Sequence, residues 1–281
     1  MIDSDTAYLR ILEFSSSTYS SIDDALSDLA SLGMKKLIID LRSNPGGDVD
    51  ETLAIADMFI SGTELLSISY KDSSKDVTYV ANDKITVSPD VDVAILINGG
   101  TASSAEIFSA TMRDNGRAVL FGTTSYGKGV MQVISSFGTG YTSITTASFV
   151  GPSGTIINGE GVKPDFEVED IYVLDEELDA YTKIMNSKTA KKFVDENPEF
   201  SEENMAEFAS EYADTGLREE VLLLIVRNEY RSRLSSGEAP LADIVYDAVC
   251  KAAYEYLQTY ENDYKAGGSE VVKKTERVVN F

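Results

Sequence analysis

The stretch L-I-I-D-L-R-S-N-P-G-G at residues 37–47 decides the fold. Its first half is a short continuous apolar run, which is typical of a strand buried on both faces of a sheet. Its second half is a Pro-Gly-Gly loop at the end of that strand, where open α/β sheets place their functional sites. A second buried strand, V-D-V-A-I-L-I at 91–97, is followed by Gly99, Gly100 and a predicted helix over Ser103–Asp114. The sequence therefore predicts β-α-β units and a largely parallel sheet.

The chain has 281 residues, a length typical of two domains. Strand and helix patterns alternate in the first part, and residues 129–149 have a β-rich pattern around a glycine turn. The later part is helical in pattern, with a helix over 217–234 and an apolar helical stripe over 241–256. We predict an α/β core at residues 1–170 and a mostly α-helical domain at residues 171–281.

Composition excludes several classes of function. Lys and Arg number 24 against 47 Asp and Glu, giving a net charge of −23, so neither nucleic acid nor anionic lipid is expected as a partner. No apolar run approaches the roughly 18 residues of a membrane span, and the N-terminus lacks the pattern of a signal peptide. The single cysteine, Cys250, excludes an intrachain disulfide and a cysteine zinc cluster. Its place on an apolar helical stripe predicts an inert core residue.

The sequence contains no histidine. A Ser-His-Asp triad, a Cys-His dyad and a histidine metal site are therefore excluded. If the chain hydrolyses a bond, its base must be a lysine, a carboxylate or a terminal amine.

Three glycine-bearing segments follow predicted strands and are the candidates for chemistry. They are L-R-S-N-P-G-G at 41–47, N-G-G-T-A-S-S-A-E at 98–106 and S-Y-G-K-G-V-M-Q at 125–132. Taken singly, each is explained by a tight turn, a helix N-cap or a glycine loop with an exposed lysine. Taken together, they provide the parts of a nucleophilic site.

The nucleophile of such a site would be Ser103 or Ser104, at a helix N-terminus with unpaired backbone amides nearby. Gly46 and Gly47 let a substrate approach the backbone, and an amide from their loop can serve as an oxyanion donor. Lys128 lies between two glycines. If it is buried among apolar groups, its pKa falls and it can act as a base.

These motifs resemble those of the C-terminal processing (tail-specific) serine peptidases. The resemblance rests on L-I-I-D-L-R-S-N-P-G-G, G-G-T-A-S-S-A-E-I-F followed by R-D-N-G-R-A-V-L-F-G, Y-G-K-G-V-M-Q, and V-G-P-S-G-T-I-I-N-G-E-G-V-K-P-D. It covers residues 6–169 in consistent order. Members of this family are Ser-Lys enzymes on a crotonase-like core, and the resemblance implies that fold here.

The resemblance also implies roles for individual residues. It favours Ser103 over Ser104 as the nucleophile, with Lys128 as the general base 25 positions later. Gln132, at even spacing from Lys128, is implied as the residue that orients the lysine.

The implied oxyanion hole comes from backbone amides of the Gly46 and Gly47 loop and of Ser104. No cofactor and no metal are implied.

Two departures from the family pattern stand out. The family's usual S-A-S-A-S-E is T-A-S-S-A-E here, at 101–106, so the neighbours of the nucleophile differ. Members also commonly carry a PDZ domain near the start of the core, and no PDZ domain is expected in this sequence. The chain is then a fragment of a longer exported protein, or it recruits substrates differently.

The leading hypothesis is a serine endopeptidase that cleaves polypeptides near their C-termini through a Ser103/Lys128 dyad and an acyl-enzyme. The helical domain is expected to cover the groove or to form a contact in a homo-oligomer. The resemblance implies an extracytoplasmic location. One alternative is a non-catalytic ligand- or protein-binding member of the same fold. The other is a crotonase-type acyl-CoA enzyme, which would need basic residues for the phosphates.

The remaining polar residues are given structural interpretations. Glu106, in the first turn of its helix, is predicted to stabilise the helix N-terminus. Asp40 and Arg42 are predicted to form a structural pair, and the Asp48/Asp50 cluster to be solvated surface rather than a metal site. Tyr126 is equally consistent with lining a groove and with covering the core.

Overall fold

The computed structural model describes residues 1–82, 85–234 and 242–259. These residues belong to two compact units. Within the described residues, the first unit is Met1–Val168 together with 252–259, and the second lies within Glu169–Lys251. The division predicted at residue 170 did not include this return of the chain to the first unit at Ala252.

The strands are β1 (Thr6–Arg10), β2 (Lys36–Asp40), β3 (Glu64–Tyr70), β4 (Val77–Val80), β5 (Asp92–Ile97), β6 (Val119–Gly122), β7 (Val130–Phe137), β8 (Gly140–Val150) and β9 (Phe166–Glu167). The helices are α1 (Thr18–Ser31), α2 (Val49–Asp57), α3 (Ser104–Asp114), α4 (Leu178–Ser187), α5 (Thr189–Glu196), α6 (Glu202–Glu211), α7 (Glu219–Ser232) and α8 (Ala248–Thr259). None of these helices is both long and apolar enough to span a bilayer.

Two sheets make up the strand content of the first unit. Five strands pair in the order β1-β2-β5-β6-β9, and every pair is parallel. Four strands form an antiparallel sheet in the order β4-β3-β8-β7. The predicted β-α-β alternation and mixed α/β class are confirmed, and β2 and β5 are buried along most of their length, as their apolar runs predict.

The parallel sheet brings the three glycine segments to one edge. Strands β2, β5 and β6 are adjacent and run in the same direction, so their carboxyl ends lie side by side. The segment 41–47 follows β2, the segment 98–103 follows β5, and the segment 123–129 follows β6. Residues far apart in the sequence therefore converge at the carboxyl edge of the sheet, where open α/β sheets bind ligands.

Helix α3 is the most deeply buried helix of this unit. Nine consecutive residues, from Ser104 to Met112, are buried, so the helix is enclosed on all sides. Two of its buried hydroxyl groups donate hydrogen bonds to backbone carbonyl groups. The Ser109 hydroxyl donates to Ala105 O at 2.7 Å, and the Thr111 hydroxyl donates to Leu65 O at 2.6 Å. A helix held in this way fixes the position of the loop that precedes it.

Helix α8 begins later than its apolar stripe predicts. The helix starts at Ala248, and the carboxylate of Asp247 accepts a hydrogen bond from Cys250 N–H at 2.9 Å, in the manner of an N-cap. Leu241, where the predicted stripe begins, lies outside the described residues. Cys250 is buried, as predicted.

The helical unit has a hydrophobic core of its own. The rings of Phe193 and Phe208 meet edge to face with centroids 5.2 Å apart. Arg218 pairs with the buried Glu177 at 3.1 Å, and its hydrogen bond, with that from Leu174 N–H, lowers the pKa of Glu177 to about 2.

The predicted pair of Asp40 and Arg42 is present at the end of β2. Arg42 Nη2 lies 2.7 Å from Asp40 Oδ2, and the Tyr8 hydroxyl donates to the same oxygen at 2.7 Å. Burial by itself would raise the pKa of Asp40. The hydrogen bonds and charge of Arg42, with the hydrogen bond from Tyr8, outweigh that effect and hold the pKa below its usual range.

We expect Asp40→Asn to lower the free energy of unfolding by about 2–4 kcal/mol at pH 7, because it removes the buried carboxylate that pairs with the partly buried Arg42 guanidinium. The folded-state pKa of Asp40 is lower than the unfolded value of about 3.9, so the stabilisation is present above about pH 4 and is lost as the pH falls through the folded-state pKa. Urea unfolding at pH 7 and at pH 3 measures both effects.

Asp24→Asn, which removes the same charge from the exposed face of α1, is the matched control. A destabilisation by Asp40→Asn that matched this control at pH 7 would contradict the interpretation.

Candidate active site

Ser103 occupies the turn that leads into α3. It is partly exposed and has backbone angles φ 58° and ψ −121°, a region that non-glycine residues rarely adopt. Its N–H donates to Glu106 Oε2 at 2.8 Å, so the first turn of the helix holds this backbone conformation. A side chain placed in a strained turn ahead of a helix N-terminus is positioned as a nucleophile would be.

Ser104 is placed differently. Its side chain is fully buried, and its hydroxyl donates to Gly47 O at 2.8 Å. Of the two serines that the sequence left as alternatives, Ser104 therefore has a structural role for its hydroxyl, whereas Ser103 is the one open to solvent.

The loop 42–47 packs directly on this turn. A Cβ atom added to Gly46 would lie 2.8 Å from Ser103 Cβ and 2.8 Å from Ser104 N, closer than real side chains approach. Gly46 also has φ 97°, in the left-handed region. The first two glycine segments are therefore in contact, and this position has no room for a larger residue.

The backbone amides near Ser103 are not equivalent. Gly46 N–H donates to the side chain of the buried Asn44 at 2.8 Å, so this amide is engaged. Within residues 1–82 and 85–234, no hydrogen bond is made by the N–H of Gly47 or of Ser104. Two of the three amides predicted for an oxyanion hole are thus unpaired, and the Gly46 amide already has a partner.

Two asparagines hold these loops together, and neither was singled out by the sequence. Asn98 Oδ1 accepts from Ser43 N–H at 2.9 Å and from Gly100 N–H at 3.0 Å, which joins the segment after β5 to the segment after β2. The Asn44 amide donates to Ile11 O at 2.8 Å. No local sequence pattern identifies the contacts with Ser43 and Ile11, because these residues lie 55 and 33 positions from their asparagines.

The third segment, 125–128, is attached through Glu106. Its carboxylate accepts hydrogen bonds from Gly127 N–H at 2.7 Å, from Lys128 N–H at 2.8 Å and from the Ser125 hydroxyl. With the bond from Ser103 N–H, the buried carboxylate has four donors. The predicted role of Glu106 at the helix N-terminus is confirmed, and its link to Lys128 is a role that sequence reasoning missed.

The loop 157–162, part of the fourth family motif, packs against the segment that carries Lys128. A Cβ atom added to Gly129 would lie 2.3 Å from Asn158 N, so this glycine permits close packing of the loop 157–161. Val162 N–H donates to the Ser125 hydroxyl oxygen at 2.7 Å.

The side chains of Lys128 and Gln132 are exposed. Within the described ranges of the chain, no hydrogen bond joins Lys128 Nζ to Ser103 Oγ or to Gln132. The Gln132 amide lies 3.5 Å from Thr145 Oγ1 instead. The Lys128 side chain is therefore not enclosed by other side chains of the described residues.

Tyr126 and Asp48 also take definite places. Tyr126 is 69% exposed, so it does not cover the core. The Asp48 carboxylate accepts from Asp50 N–H at 2.8 Å and from Glu51 N–H at 3.2 Å, so it caps helix α2.

Comparison with known proteins identifies the class to which this fold and site belong. The model of peptidase family S41 matches residues 5–168. The match covers more than half of the chain, which therefore belongs to peptidase family S41.

Individual relatives agree with that assignment. A carboxy-terminal-processing protease of Bartonella bacilliformis is 35% identical over 173 residues, which are 60% of this chain and 40% of that protein. A probable CtpA-like serine protease of Staphylococcus aureus is 32% identical over 162 residues, which are 57% of this chain and 33% of that protein. The chain thus spans well under half the length of both relatives.

A solved structure is similar as well. The photosystem II D1 C-terminal processing protease matches with a TM-score of 0.53 and 29% sequence identity, over 58% of this chain and 42% of that chain. The resemblance seen in the sequence motifs is therefore confirmed at the level of the family.

We expect Glu106→Gln to lower the free energy of unfolding by about 2–4 kcal/mol, because an amide offers one acceptor oxygen and turns an N–H₂ group toward backbone donors. Hydrogen exchange at the amides of residues 125–128 should become faster. Chemical unfolding and hydrogen exchange read by mass spectrometry measure the two effects.

Glu160→Gln, an exposed glutamate in the neighbouring loop, is the matched control. Unchanged exchange at residues 125–128 in Glu106→Gln would show that Glu106 does not hold the lysine segment.

Proposed function

We propose that the chain is the catalytic part of a serine endopeptidase that cleaves polypeptides near their C-termini. The observation that carries the proposal is the convergence of the Ser103 turn and the Lys128 segment on one buried carboxylate, Glu106. Membership of peptidase family S41 and the names of the two relatives support this reaction class.

In the proposed reaction, Ser103 Oγ attacks the carbonyl carbon of the scissile peptide and its proton passes to the amine of Lys128. The oxyanion formed on the carbonyl oxygen accepts hydrogen bonds from Gly47 N–H and Ser104 N–H, the two unpaired amides beside the nucleophile. The C–N bond then breaks, and the Lys128 ammonium donates its proton to the leaving amine. Lys128 then takes a proton from water as the water oxygen attacks the acyl carbon. It returns this proton to Ser103 Oγ as the ester C–O bond breaks, which releases the carboxyl product and restores Ser103.

The substrate has a part in activating the base. Lys128 is exposed, and a lysine acts as a base only as the neutral amine. A polypeptide that lies across the site removes water from Lys128 and favours the uncharged form. Gln132 orients the amine in this proposal, which requires its side chain to exchange its contact with Thr145 for one with Lys128.

Further features of the proposal rest on the family resemblance. They are a crotonase-like core, an extracytoplasmic location, and a contact between copies of the chain through the helical unit. Oligomeric state in solution, measured by sedimentation, tests the last of these.

One observation favours a second candidate function. Because no hydrogen bond joins Lys128 to Ser103 in the described residues, a non-catalytic polypeptide-binding member of the same fold is the alternative. It predicts that casein binds to the chain and is left intact.

Ser103→Ala should reduce cleavage of casein by about 10³-fold or more, whereas Ser104→Ala should retain readily measurable cleavage. The reason is that only the Ser103 hydroxyl is available for attack. Fragments are followed by mass spectrometry, and the folded state of each variant by circular dichroism. Equal losses in the two variants would contradict the assignment of the nucleophile.

Lys128→Arg should be as inactive as Lys128→Ala, because an arginine keeps the charge but does not release its proton. The matched control is Lys75→Ala, which removes an exposed lysine from the turn between β3 and β4. Activity retained in Lys128→Arg would exclude Lys128 as the base.

A further inference from the structure

The hairpin of β7 and β8 stands out from the rest of the first unit. Strand β8 pairs with β3 only through residues 147–150, so the remainder of the hairpin is a two-stranded ribbon. Apolar side chains on the ribbon are exposed, with exposed fractions between 47% and 81%: Val133, Ile134, Phe137, Tyr141 and Ile144. A two-stranded ribbon has little stability of its own, so such exposure needs an explanation.

The ribbon also lies in an uncharged stretch of the chain. Charged residues make up 25% of the whole sequence, yet none occurs between Lys128 and Glu160. Exposed edge strands usually carry lysines or other charges that prevent another chain from pairing with them. The edge formed by β7 has no such protection.

Among the strands of the described residues, β7 is the last of its sheet, so one side of its backbone has no strand partner there. Phe149 N–H donates to Gly129 O at 2.8 Å, so these two residues form a hydrogen-bonded pair. The register shifts between Met131 and Gln132. Beyond that shift, the two-residue turn makes Phe137 and Gly140 a hydrogen-bonded pair, so odd-numbered residues of β7 pair with β8 on both sides of the shift. The N–H and C=O groups of the alternate residues, Gln132, Ile134 and Ser136, then face outward.

The open edge leads directly to the candidate active site. Strand β7 begins two residues after Lys128, whose backbone N–H is fixed to Glu106. A chain that pairs with β7 is therefore guided along the ribbon toward Lys128 and Ser103.

We propose that the β7 edge binds an extended, apolar segment of the polypeptide substrate as an added strand. Outward N–H and C=O groups of β7 would supply main-chain hydrogen bonds, and the exposed apolar side chains would select similar residues in the substrate. The continuity of this edge with the Lys128 segment favours the substrate over a second copy of the chain as the occupant. This inference rests on the proposed function, since it names how the substrate of that site is held.

The test uses Ser103→Ala as the background, so that binding is measured without cleavage. Fluorescently labelled casein is titrated with Ser103→Ala carrying either Ile134→Pro or Ile134→Ala, and anisotropy is recorded. Both changes remove the isoleucine side chain, but only proline removes the outward N–H. We expect the proline variant to bind casein about fivefold more weakly than the alanine variant, as the loss of one hydrogen bond implies.

Ser136→Pro against Ser136→Ala repeats the comparison nearer the tip of the ribbon, in case Ile134→Pro disturbs folding. Equal binding by folded proline and alanine variants at both positions would overturn the proposal. Sedimentation velocity tests whether a second copy of the chain occupies the edge. If Ile134→Pro dissociates a dimer and leaves casein binding unchanged, the edge binds a second copy and not the substrate.

The binding assay also separates this inference from the proposed function. If the wild-type chain does not cleave casein but the proline variants still bind it more weakly, the proposed peptidase activity fails and the binding edge stands. If casein is cleaved and the proline and alanine variants bind alike, the activity stands and the edge proposal fails.

Discussion

The carboxylate of Glu106 is the group on which the geometry of the site depends. A buried carboxylate is costly unless its oxygens are hydrogen-bonded, and here three backbone amides and one hydroxyl satisfy them. These donors come from the turn that carries Ser103 and from the segment that carries Lys128. Because both segments share one acceptor, their relative position is set by a group that need not take part in any reaction. The enclosure of α3 on all sides keeps that acceptor in place.

Much of the arrangement of strands and loops around the site can be predicted from the sequence, for physical reasons. Buried parallel strands are continuous apolar runs, so β2 and β5 could be predicted nearly to the residue, and parallel strands place their following loops at one edge. The choice of Ser103 over Ser104 needed the family resemblance. In the structure, the Ser104 hydroxyl donates to Gly47 O, whereas Ser103 is partly exposed.

Other features had no signal in the sequence. The bonds from Gly127 and Lys128 to Glu106 join a side chain to backbone groups more than 20 residues away, and any residue type can supply a backbone amide. The exposure of Lys128 also could not be predicted from the sequence, because it depends on which atoms surround the side chain in the fold and not on the adjacent residues in the chain.

The backbone of Ser103 has a consequence for how this family evolves. A non-glycine residue at φ 58° and ψ −121° costs about 1–3 kcal/mol of folding free energy, a cost that glycine does not incur. Selection for folding alone would therefore drift toward glycine at position 103, and a serine persists there only while its hydroxyl is useful. Among sequences that share this fold, a glycine at this position would mark a chain that lacks the proposed nucleophile and avoids the backbone strain.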